Sequence, residues 1–300
     1  MLDALGLRPR HRFGQNFLHD AGKMEQIVAA ARIAPGDVVL EVGPGTGALS
    51  IRLLAAGATL IAVEIDRDLE PILREQFAQH AGQAGAPPQL IVDDVLAGKH
   101  AINPRVLDAL AATGASHFKL IANLPYHVAS PLLANLLLLP YTDSHSAISP
   151  RPSKGQNPQS AIRNPQSAIV PRLSLAVVTI QREVADRLAA SPGGKEYGPL
   201  GILVQALAEV DRVTTLPPGC FWPQPDVESA VARLRVREKP LTDDPTQLTQ
   251  LLQTLFTKRR KQLGSILGRD VVLPVGVDAK QRPETLSVEQ LIELARRLGG

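Results

Sequence analysis

Residues 38–47 read V-V-L-E-V-G-P-G-T-G, an apolar run that leads directly into a glycine-rich segment. The run has the length and the β-branched content of a buried strand, and the apolar residues from Thr46 onward have helical spacing. Glycine has no Cβ, so the backbone can turn tightly there and approach a ligand closely. A strand, a glycine loop and a helix in this order are typical of the first unit of a nucleotide-binding α/β sheet.

The alternation of strand and helix continues on the C-terminal side of this segment. The pattern is that of βαβ units over a parallel sheet and predicts seven strands in all. The predicted strands span residues 38–42, 59–65, 89–92, 118–122, 173–181, 210–216 and 229–237. The predicted helices between them span residues 46–56, 67–79, 102–112, 182–189 and 198–208.

One segment, residues 142–171, interrupts this pattern. It is rich in Ser, Pro, Asn and Gln, and N-P-Q-S-A-I occurs in it twice, at 157–162 and 164–169. The proline in each copy is incompatible with a coiled-coil heptad. The composition cannot bury a core, so we expect a loop or disordered insertion within an otherwise compact domain.

A second, smaller unit is predicted after Pro240. Asp244 and Pro245 have the residue types of the N-cap and first position of a helix, which the apolar stripe extends to about Leu267. Ser287 and Gln290 form a capping-box pattern before a final helix over 288–298. We therefore expect one domain at 1–239, containing the insertion, and a helical domain at 240–300.

Composition narrows the class of protein. The 300 residues are 44% apolar and 20% charged, as in globular proteins, and the longest apolar run, around residues 132–139, is too short to cross a membrane. No signal peptide is recognisable, and the single cysteine, Cys220, fits a reducing cytoplasm. The net charge of +3 is compatible with a nucleic-acid partner.

Acidic residues follow the second and third predicted strands. Glu64 stands about 20 residues after Gly43, where an acid accepts hydrogen bonds from two ribose hydroxyls. Asp93 and Asp94 follow the third strand; either can accept from an adenine amine or cap the turn, and for Asp93 the turn is favoured. NAD and S-adenosylmethionine both carry the ribose, so these residues leave the cofactor open. No cluster with metal-ligand spacing occurs, and no metal site is expected.

The segment Asn123-Leu124-Pro125-Tyr126 follows the fourth predicted strand, at the edge where doubly wound sheets bind ligands. An exocyclic base nitrogen is a poor nucleophile because its lone pair is delocalised into the ring. An asparagine oxygen and a backbone carbonyl, such as that of a proline, can accept its hydrogens and draw it toward tetrahedral geometry. A tyrosine offers a stacking face to a base withdrawn from its helix. Hydride transfer needs no such group, so this segment favours methyl transfer to a base.

These motifs resemble those of the small-subunit ribosomal RNA adenine dimethyltransferases, the kasugamycin-resistance methyltransferases. The resemblance covers most of the chain. It rests on R-F-G-Q-N-F-L at 12–18, E-V-G-P-G-T-G at 41–47, N-L-P-Y at 123–126, F-W-P-Q-P-D-V-E-S-A-V at 221–231, similar to the family's F-x-P-x-P-x-V-x-S-A-V, and F-x-x-R-R-K at 256–261.

The resemblance implies an α/β, class I (Rossmann-like) S-adenosylmethionine-dependent methyltransferase with a seven-stranded sheet and a small helical C-terminal domain that binds RNA. The implied activity is dimethylation of the N6 amines of two adjacent adenines near the 3′ end of small-subunit ribosomal RNA. The implied partner is that RNA within a 30S-type assembly particle, and a monomer is expected.

By position, the resemblance assigns roles to individual residues. The cofactor would be bound by Asn16, Leu18, Gly43, Gly45, Glu64, Asp94 and Asn123. The target adenine would be held by Asn123, Leu124, Pro125 and Tyr126, with Phe221 flanking it, and RNA would be bound by Lys258, Arg259, Arg260 and Lys261. The chain departs from the family at His127, usually Asn, at Asp226, commonly Lys, and in the insertion.

Three alternatives remain open at the level of sequence. A relative that methylates large-subunit RNA shares the fold and the N-x-P-[YF] segment. An RNA-binding assembly or transcription factor could retain the pocket without turnover, although an intact Asn123 argues against it. An NAD-dependent oxidoreductase would be separated from both by a cofactor-binding titration.

Overall fold

The computed structural model describes residues 9–10, 13–80, 86–98, 101–142, 170–268 and 271–299. Its strands are β1 (Phe17–Leu18), β2 (Val38–Val42), β3 (Thr59–Glu64), β4 (Gln89–Val92), β5 (His117–Asn123), β6 (Arg172–Gln181), β7 (Ala208–Leu216), β8 (Phe221–Trp222) and β9 (Ser229–Val236). Seven of them form one sheet, the number predicted, and their order is β4-β3-β2-β5-β6-β9-β7. In this sheet β9 is antiparallel to both of its neighbours, β6 and β7, and all the other pairs are parallel. β1 and β8 form a separate antiparallel pair.

Helices cover both faces of the sheet. One face packs against α1 (Ala21–Ala31), α2 (Ala48–Ala55) and α3 (Glu70–His80). The other packs against α4 (Pro104–Ala112), α5 (Tyr126–Leu138), α6 (Arg182–Leu188) and α7 (Pro199–Leu207). All five residues of β2 are buried, which explains why its sequence is a continuous apolar run around one acid.

The C-terminal unit contains α8 (Pro245–Phe256), α9 (Leu263–Leu267) and α10 (Val288–Leu298). Asp244 caps α8 by accepting from the Gln247 N–H at 2.8 Å, and the predicted capping box of α10 is present. These helices share a core with Tyr197, Ile202 and Ala206 at the start and along one side of α7. The C-terminal unit is thus packed directly against an element of the sheet domain.

The prediction of one helix from Asp244 to about Leu267 is wrong. The helix ends at Phe256, and a turn over residues 257–262 separates it from α9. The amides of Leu263 and Gly264 donate to the carbonyls of Gln281 and Ala279, at 2.8 and 2.9 Å. Partners about 15 residues away in sequence therefore set the direction of α9, which local helical spacing cannot show.

Two helices, α1 and α5, are not among those that the sequence pattern predicts. Asp20 caps α1 by accepting from the Lys23 N–H at 2.9 Å. The predicted insertion lies, from 143 to 169, outside the described residues. Among the helices that the structure describes, none has both the length and the apolar character needed to cross a bilayer.

Candidate active site

A cleft of about 1060 Å³, including the open solvent at its mouth, lies at the carboxyl ends of β2, β3 and β5. The chain leaves β2 toward β3 and β4 on one side and later returns to β5 on the other, so this is the point where the strand order reverses. Ligands of doubly wound sheets bind at such points. The cleft is lined by most of the residues that the resemblance assigns to the cofactor and the target adenine, namely Asn16, Leu18, Gly43, Gly45, Glu64, Asp94, Asn123, Leu124, Pro125 and Tyr126.

The glycine loop after β2 forms the floor of this cleft. Gly43, Gly45 and Gly47 have φ values of +69°, +60° and +82°, a region that favours glycine. A Cβ on Gly45 would lie 2.7 Å from the Phe17 ring. Side chains are therefore excluded from Gly45 both by its backbone conformation and by the close approach of Phe17.

Glu64 presents its carboxyl group at the end of β3. One oxygen accepts from the Gly45 N–H at 3.2 Å and the other from the Asp66 N–H at 2.9 Å. Burial raises the pKa of Glu64 to about 7, against the opposing effect of these two hydrogen bonds. This buried acid therefore lies beside the glycine loop, where the sequence places it.

Glu41, within β2, is a second buried acid next to the cleft. The Ser50 hydroxyl of α2 donates to its carboxyl group at 2.6 Å. Burial raises the pKa of Glu41 to about 8, and the nearby Glu64 adds to that shift. In the sequence, Glu41 stands out only as part of the glycine motif, with no role of its own.

We expect Glu41→Gln to stabilise the fold increasingly as pH rises. Unfolded Glu41 ionises from its usual pKa of 4.5, whereas the folded group keeps its proton up to about 8. Wild-type stability therefore falls between these two pH values, and glutamine removes that loss. The melting temperature of Glu41→Gln should exceed that of the wild type by a margin that grows by up to about 3 °C per pH unit over this range. Glu25→Gln, at an exposed position of α1, is the control; an advantage that does not change with pH would contradict the assignment.

The segment before β1 forms a cover over the cleft. The Gln15 side chain donates to Asp66 at 2.8 Å and accepts from the Arg10 N–H at 2.7 Å. The pairing of β1 with β8 then fixes Phe17 and Leu18. The described part of the R-F-G-Q-N-F-L motif, residues 13–18, thus covers the cleft, whereas Arg12 lies outside the described residues.

The N-L-P-Y segment forms the opposite wall. The Asn123 amide nitrogen donates to the Asn16 carbonyl at 2.8 Å, which fixes the orientation of the side chain. Its oxygen accepts no hydrogen bond from a described residue and is available to a ligand. The backbone is anchored to β6 because the Leu124 N–H donates to the Thr179 carbonyl at 3.1 Å.

The expectation that the proline carbonyl of this segment is free is wrong. The Pro125 carbonyl accepts from the Val128 N–H at 2.9 Å, in the first turn of α5. The Leu124 carbonyl instead has no hydrogen-bond donor within the described part of the chain. The Leu124 carbonyl, rather than that of Pro125, is therefore the backbone acceptor of this segment that is without a partner among the described residues.

Tyr126, the first residue of α5, is half-buried in the cleft wall. Its hydroxyl lies 2.8 Å from the hydroxyl of Ser229, which is fully buried at the start of β9. Burial raises the pKa of the Tyr126 hydroxyl, and the Ser229 hydrogen bond opposes that shift. The ring is thereby held in place, and the residue that holds it, Ser229, has no role that the sequence motifs indicate.

The sequence and structure comparisons identify the group of proteins to which this site belongs. The family described as "Ribosomal RNA adenine dimethylase" matches residues 6–298. This chain is a member of that family. Ribosomal RNA small subunit methyltransferase A of Thermosynechococcus vestitus is 38% identical over 97% of both chains. The protein of the same name from Cutibacterium acnes is 33% identical over 99% of this chain and 91% of its own.

Solved structures confirm the class I methyltransferase fold. A dimethyladenosine transferase from Plasmodium falciparum superposes with a TM-score of 0.65 at 23% identity, over 93% of this chain and 95% of its own. The 23S rRNA methyltransferase ErmE gives 0.63 at 23% identity, over 95% and 100%. The fold alone does not separate small-subunit from large-subunit enzymes.

S-adenosylmethionine is the cofactor of this adenine dimethylase, and the cleft fits it. The glycine loop offers backbone without Cβ atoms, and the Glu64 carboxyl group is 3% exposed beside it. Asp94 lines the cleft, while one of its oxygens accepts from the Leu96 N–H at 2.9 Å. Asp93 caps the turn, the role that the sequence favours for it, by accepting from the Asp94 N–H. Its carboxylate also pairs with Arg105 at 3.0 Å, and the hydrogen bonds from Arg105 and from the Asp94 N–H hold the pKa of Asp93 below its usual range.

Two parts of the predicted site lie away from the cleft of the dimethylase. Phe221 is 1% exposed and packs in the core that includes α1 and α2, because its pairing with Leu18 directs the ring inward. The neighbouring Trp222 is 40% exposed and stacks on Phe17, with ring centroids 6.4 Å apart. The basic residues 258–261 lie in the turn between α8 and α9 rather than on a helix.

Proposed function

We propose that this protein dimethylates the N6 amines of two adjacent adenines near the 3′ end of small-subunit ribosomal RNA. The observation that carries the proposal is the position of Asn123. Its oxygen and the Leu124 carbonyl are available acceptors in the same cleft as the glycine loop and Glu64. The relatives are named as methyltransferases of the small-subunit ribosomal RNA, which favours this RNA over the large-subunit RNA as the substrate.

The residues of the cleft would bind and orient the two substrates. S-adenosylmethionine supplies a methyl group on a sulfonium, an already activated donor. Glu64 and the glycine loop would hold its adenosine, with Asn16, Leu18 and Asp94 nearby. Asn123 and Leu124 would accept the hydrogens of the target amine and free its lone pair for attack in line. The methylated amine is a strong acid, so the site needs no strong base.

The pair of acceptors also suits a second transfer to the same nitrogen. After one methylation the amine keeps a single hydrogen, so it needs one acceptor and room for a methyl group. Asn123 and Leu124 are adjacent in the chain but present a side-chain oxygen and a backbone oxygen. If the amine rotates, its remaining hydrogen can bind one of the two acceptors, and its methyl group then points away from that acceptor.

The hydroxyl of Tyr126 is expected to serve stability rather than chemistry. Tyr126→Phe keeps the ring face and should change the methylation rate only a few-fold, but it leaves the buried Ser229 hydroxyl unpaired, at about 1 to 3 kcal/mol. Adding Ser229→Ala should recover most of that stability. Tyr126→Ala should lose base stacking of about 1 to 3 kcal/mol. Denaturant unfolding and single-turnover rates test this; Tyr126→Phe as slow as Tyr126→Ala would contradict it.

The remaining features of the proposal concern partners. We propose that the enzyme acts as a monomer in the cytoplasm on a 30S-type assembly particle. The division at about residue 240 would give a catalytic domain and an RNA-binding domain, with Lys258, Arg260 and Lys261 as the RNA contacts. All three are exposed, and none forms an ion pair with a described residue.

The proposal is tested by incubating the protein with labelled S-adenosylmethionine and small-subunit particles that lack the modification. Mass spectrometry of the RNA should find two adjacent dimethyladenosines near its 3′ end. Large-subunit RNA serves as the parallel substrate. Methylation confined to it would contradict the proposal in favour of a large-subunit enzyme, and no transfer to either RNA would favour a binding factor.

A further inference from the structure

The loop between α6 and α7, residues 191–197, lies against the turn over residues 257–262. One guanidinium connects them. Arg259 donates to the carbonyls of Lys195 and Gly194 at 3.1 and 3.3 Å, and to the Glu284 carboxylate at 3.3 Å. Its side chain is 38% exposed, and that of Glu284 is 18% exposed. Arg259 therefore joins three segments that are remote in sequence.

Two further contacts hold the same loop to the C-terminal unit. The Gly193 N–H donates to the Glu284 carbonyl at 2.6 Å, and the buried Tyr197 hydroxyl donates to the Leu286 carbonyl at 2.9 Å. The loop belongs to the sheet domain by sequence, and its hydrogen bonds to Arg259, Glu284 and Leu286 join it to the C-terminal unit.

This arrangement places one more exposed cation beside the basic turn. The Lys195 side chain is 95% exposed, and its one ion-pair partner among the described residues is Glu196, with 4.0 Å between the Lys195 Nζ and a Glu196 carboxylate oxygen. Lys258, Arg260 and Lys261 are also exposed and form no ion pair with any part of the chain that the structure describes. Four cations from two segments thus lie on adjoining turns.

We infer that Lys195 is a phosphate contact of the RNA-binding surface and that Arg259 is a positioning residue, which holds the 191–197 loop in that surface. The inference rests on the proposed RNA contact of Lys258, Arg260 and Lys261. Three of the five N–H donors of Arg259 bind two carbonyls and a carboxylate, the last in a charge-assisted hydrogen bond, so the protein itself fixes this guanidinium. Lysine is a mobile point charge suited to phosphate, whereas arginine has a planar fork suited to this fixed set of acceptors.

RNA affinity measured between 50 and 200 mM salt tests the role of Lys195, with a transcript of the 3′ end of small-subunit RNA as the probe. The wild type loses affinity by some factor as the salt concentration rises over this range. Removing one phosphate-binding cation should make that factor about threefold smaller. Lys195→Gln should show that change. Lys239→Gln is the matched control, since Lys239 is exposed beyond β9 at the edge of the sheet opposite the cleft. Equal behaviour of the two variants would overturn the assignment of Lys195.

Arg259 is tested by a pair of variants that differ in charge. If it is a positioning residue, Arg259→Lys and Arg259→Gln should weaken RNA binding equally, because neither can bind all three acceptors. If Arg259→Lys keeps wild-type affinity and salt dependence while Arg259→Gln loses both, Arg259 is itself a phosphate ligand and the inference fails.

Glu284→Gln supplies a second measurement that leaves every cation in place. A positioning role predicts weaker RNA binding, since the carboxylate that orients Arg259 is removed; tighter or unchanged binding would identify Arg259 as a restrained phosphate ligand. These results are separate from the proposed activity. A wild-type protein that binds RNA with the expected salt dependence but transfers no methyl group would contradict the function and leave this inference standing.

Discussion

Asn123→Ala is expected to lower the rate of methyl transfer by about 100-fold or more at saturating cofactor. The variant loses the side-chain oxygen that would accept from the target amine. It also loses the 2.8 Å hydrogen bond to the Asn16 carbonyl, which connects the N-L-P-Y segment to the cover of the cleft. Both methylation steps should slow, because each requires an acceptor for an amine hydrogen. Single-turnover assays that resolve mono- from dimethyladenosine measure the two steps.

Asn123→Asp separates the two roles of this side chain. Aspartate keeps acceptor oxygens but cannot donate to the Asn16 carbonyl, so its rate should lie between those of the wild type and Asn123→Ala. Cofactor affinity and melting temperature serve as controls for the integrity of the cleft. A near-normal rate for Asn123→Ala in a folded protein would contradict the proposed mechanism.

Glu64→Ala should weaken S-adenosylmethionine binding by about 10- to 150-fold, which corresponds to the loss of hydrogen bonds to a charged acceptor at about 1.5 to 3 kcal/mol. Calorimetric titration measures this directly. Glu64 lies at the end of β3 and its neighbours in the sheet are retained, so the fold should persist. Unchanged affinity would remove Glu64 from the cofactor site.

The pH dependence of the same titration gives an independent test of Glu64. Its pKa is raised to about 7 by burial, and the ionised form is the better acceptor for two ribose hydroxyls. Because the proton competes with the ribose, cofactor affinity should increase as pH rises through about 7 and level off above it. Glu64→Gln should be weaker and lack this increase. A wild-type affinity that falls with pH would contradict the assignment.

The strands of the sheet were predictable because each is a short buried run between turn residues. β2 and β4 have the predicted bounds, β3 differs by one residue at one end, and β5 differs by one residue at each end. The clustering of the proposed cofactor residues in one cleft was predictable for a related reason. Carboxyl ends of parallel strands meet at one edge of a sheet, so Gly43, Glu64 and Asn123 could be placed together from sequence spacing alone.

The contacts that depend on distant partners were not predictable. Nothing near Arg259 in the sequence shows that its partners are Gly194, Lys195 and Glu284. In the same way, only the pairing of β8 with β1 shows that Phe221 faces the core and Trp222 the solvent. Local residue types indicate which elements form, whereas these roles depend on which surfaces meet after folding.

The pairing of β1 with β8 has a consequence for synthesis of the protein. Phe17 and Leu18 bind Trp222 and Phe221, and the His19 N–H donates to the Cys220 carbonyl at 3.0 Å. The cover of the cleft is therefore closed by residues that leave the ribosome some 200 residues after the cover itself. A nascent chain that already contains the glycine loop, Glu64 and Asn123 still lacks a closed cofactor pocket. Retention of S-adenosylmethionine is therefore expected only after the chain has been synthesised at least as far as Trp222.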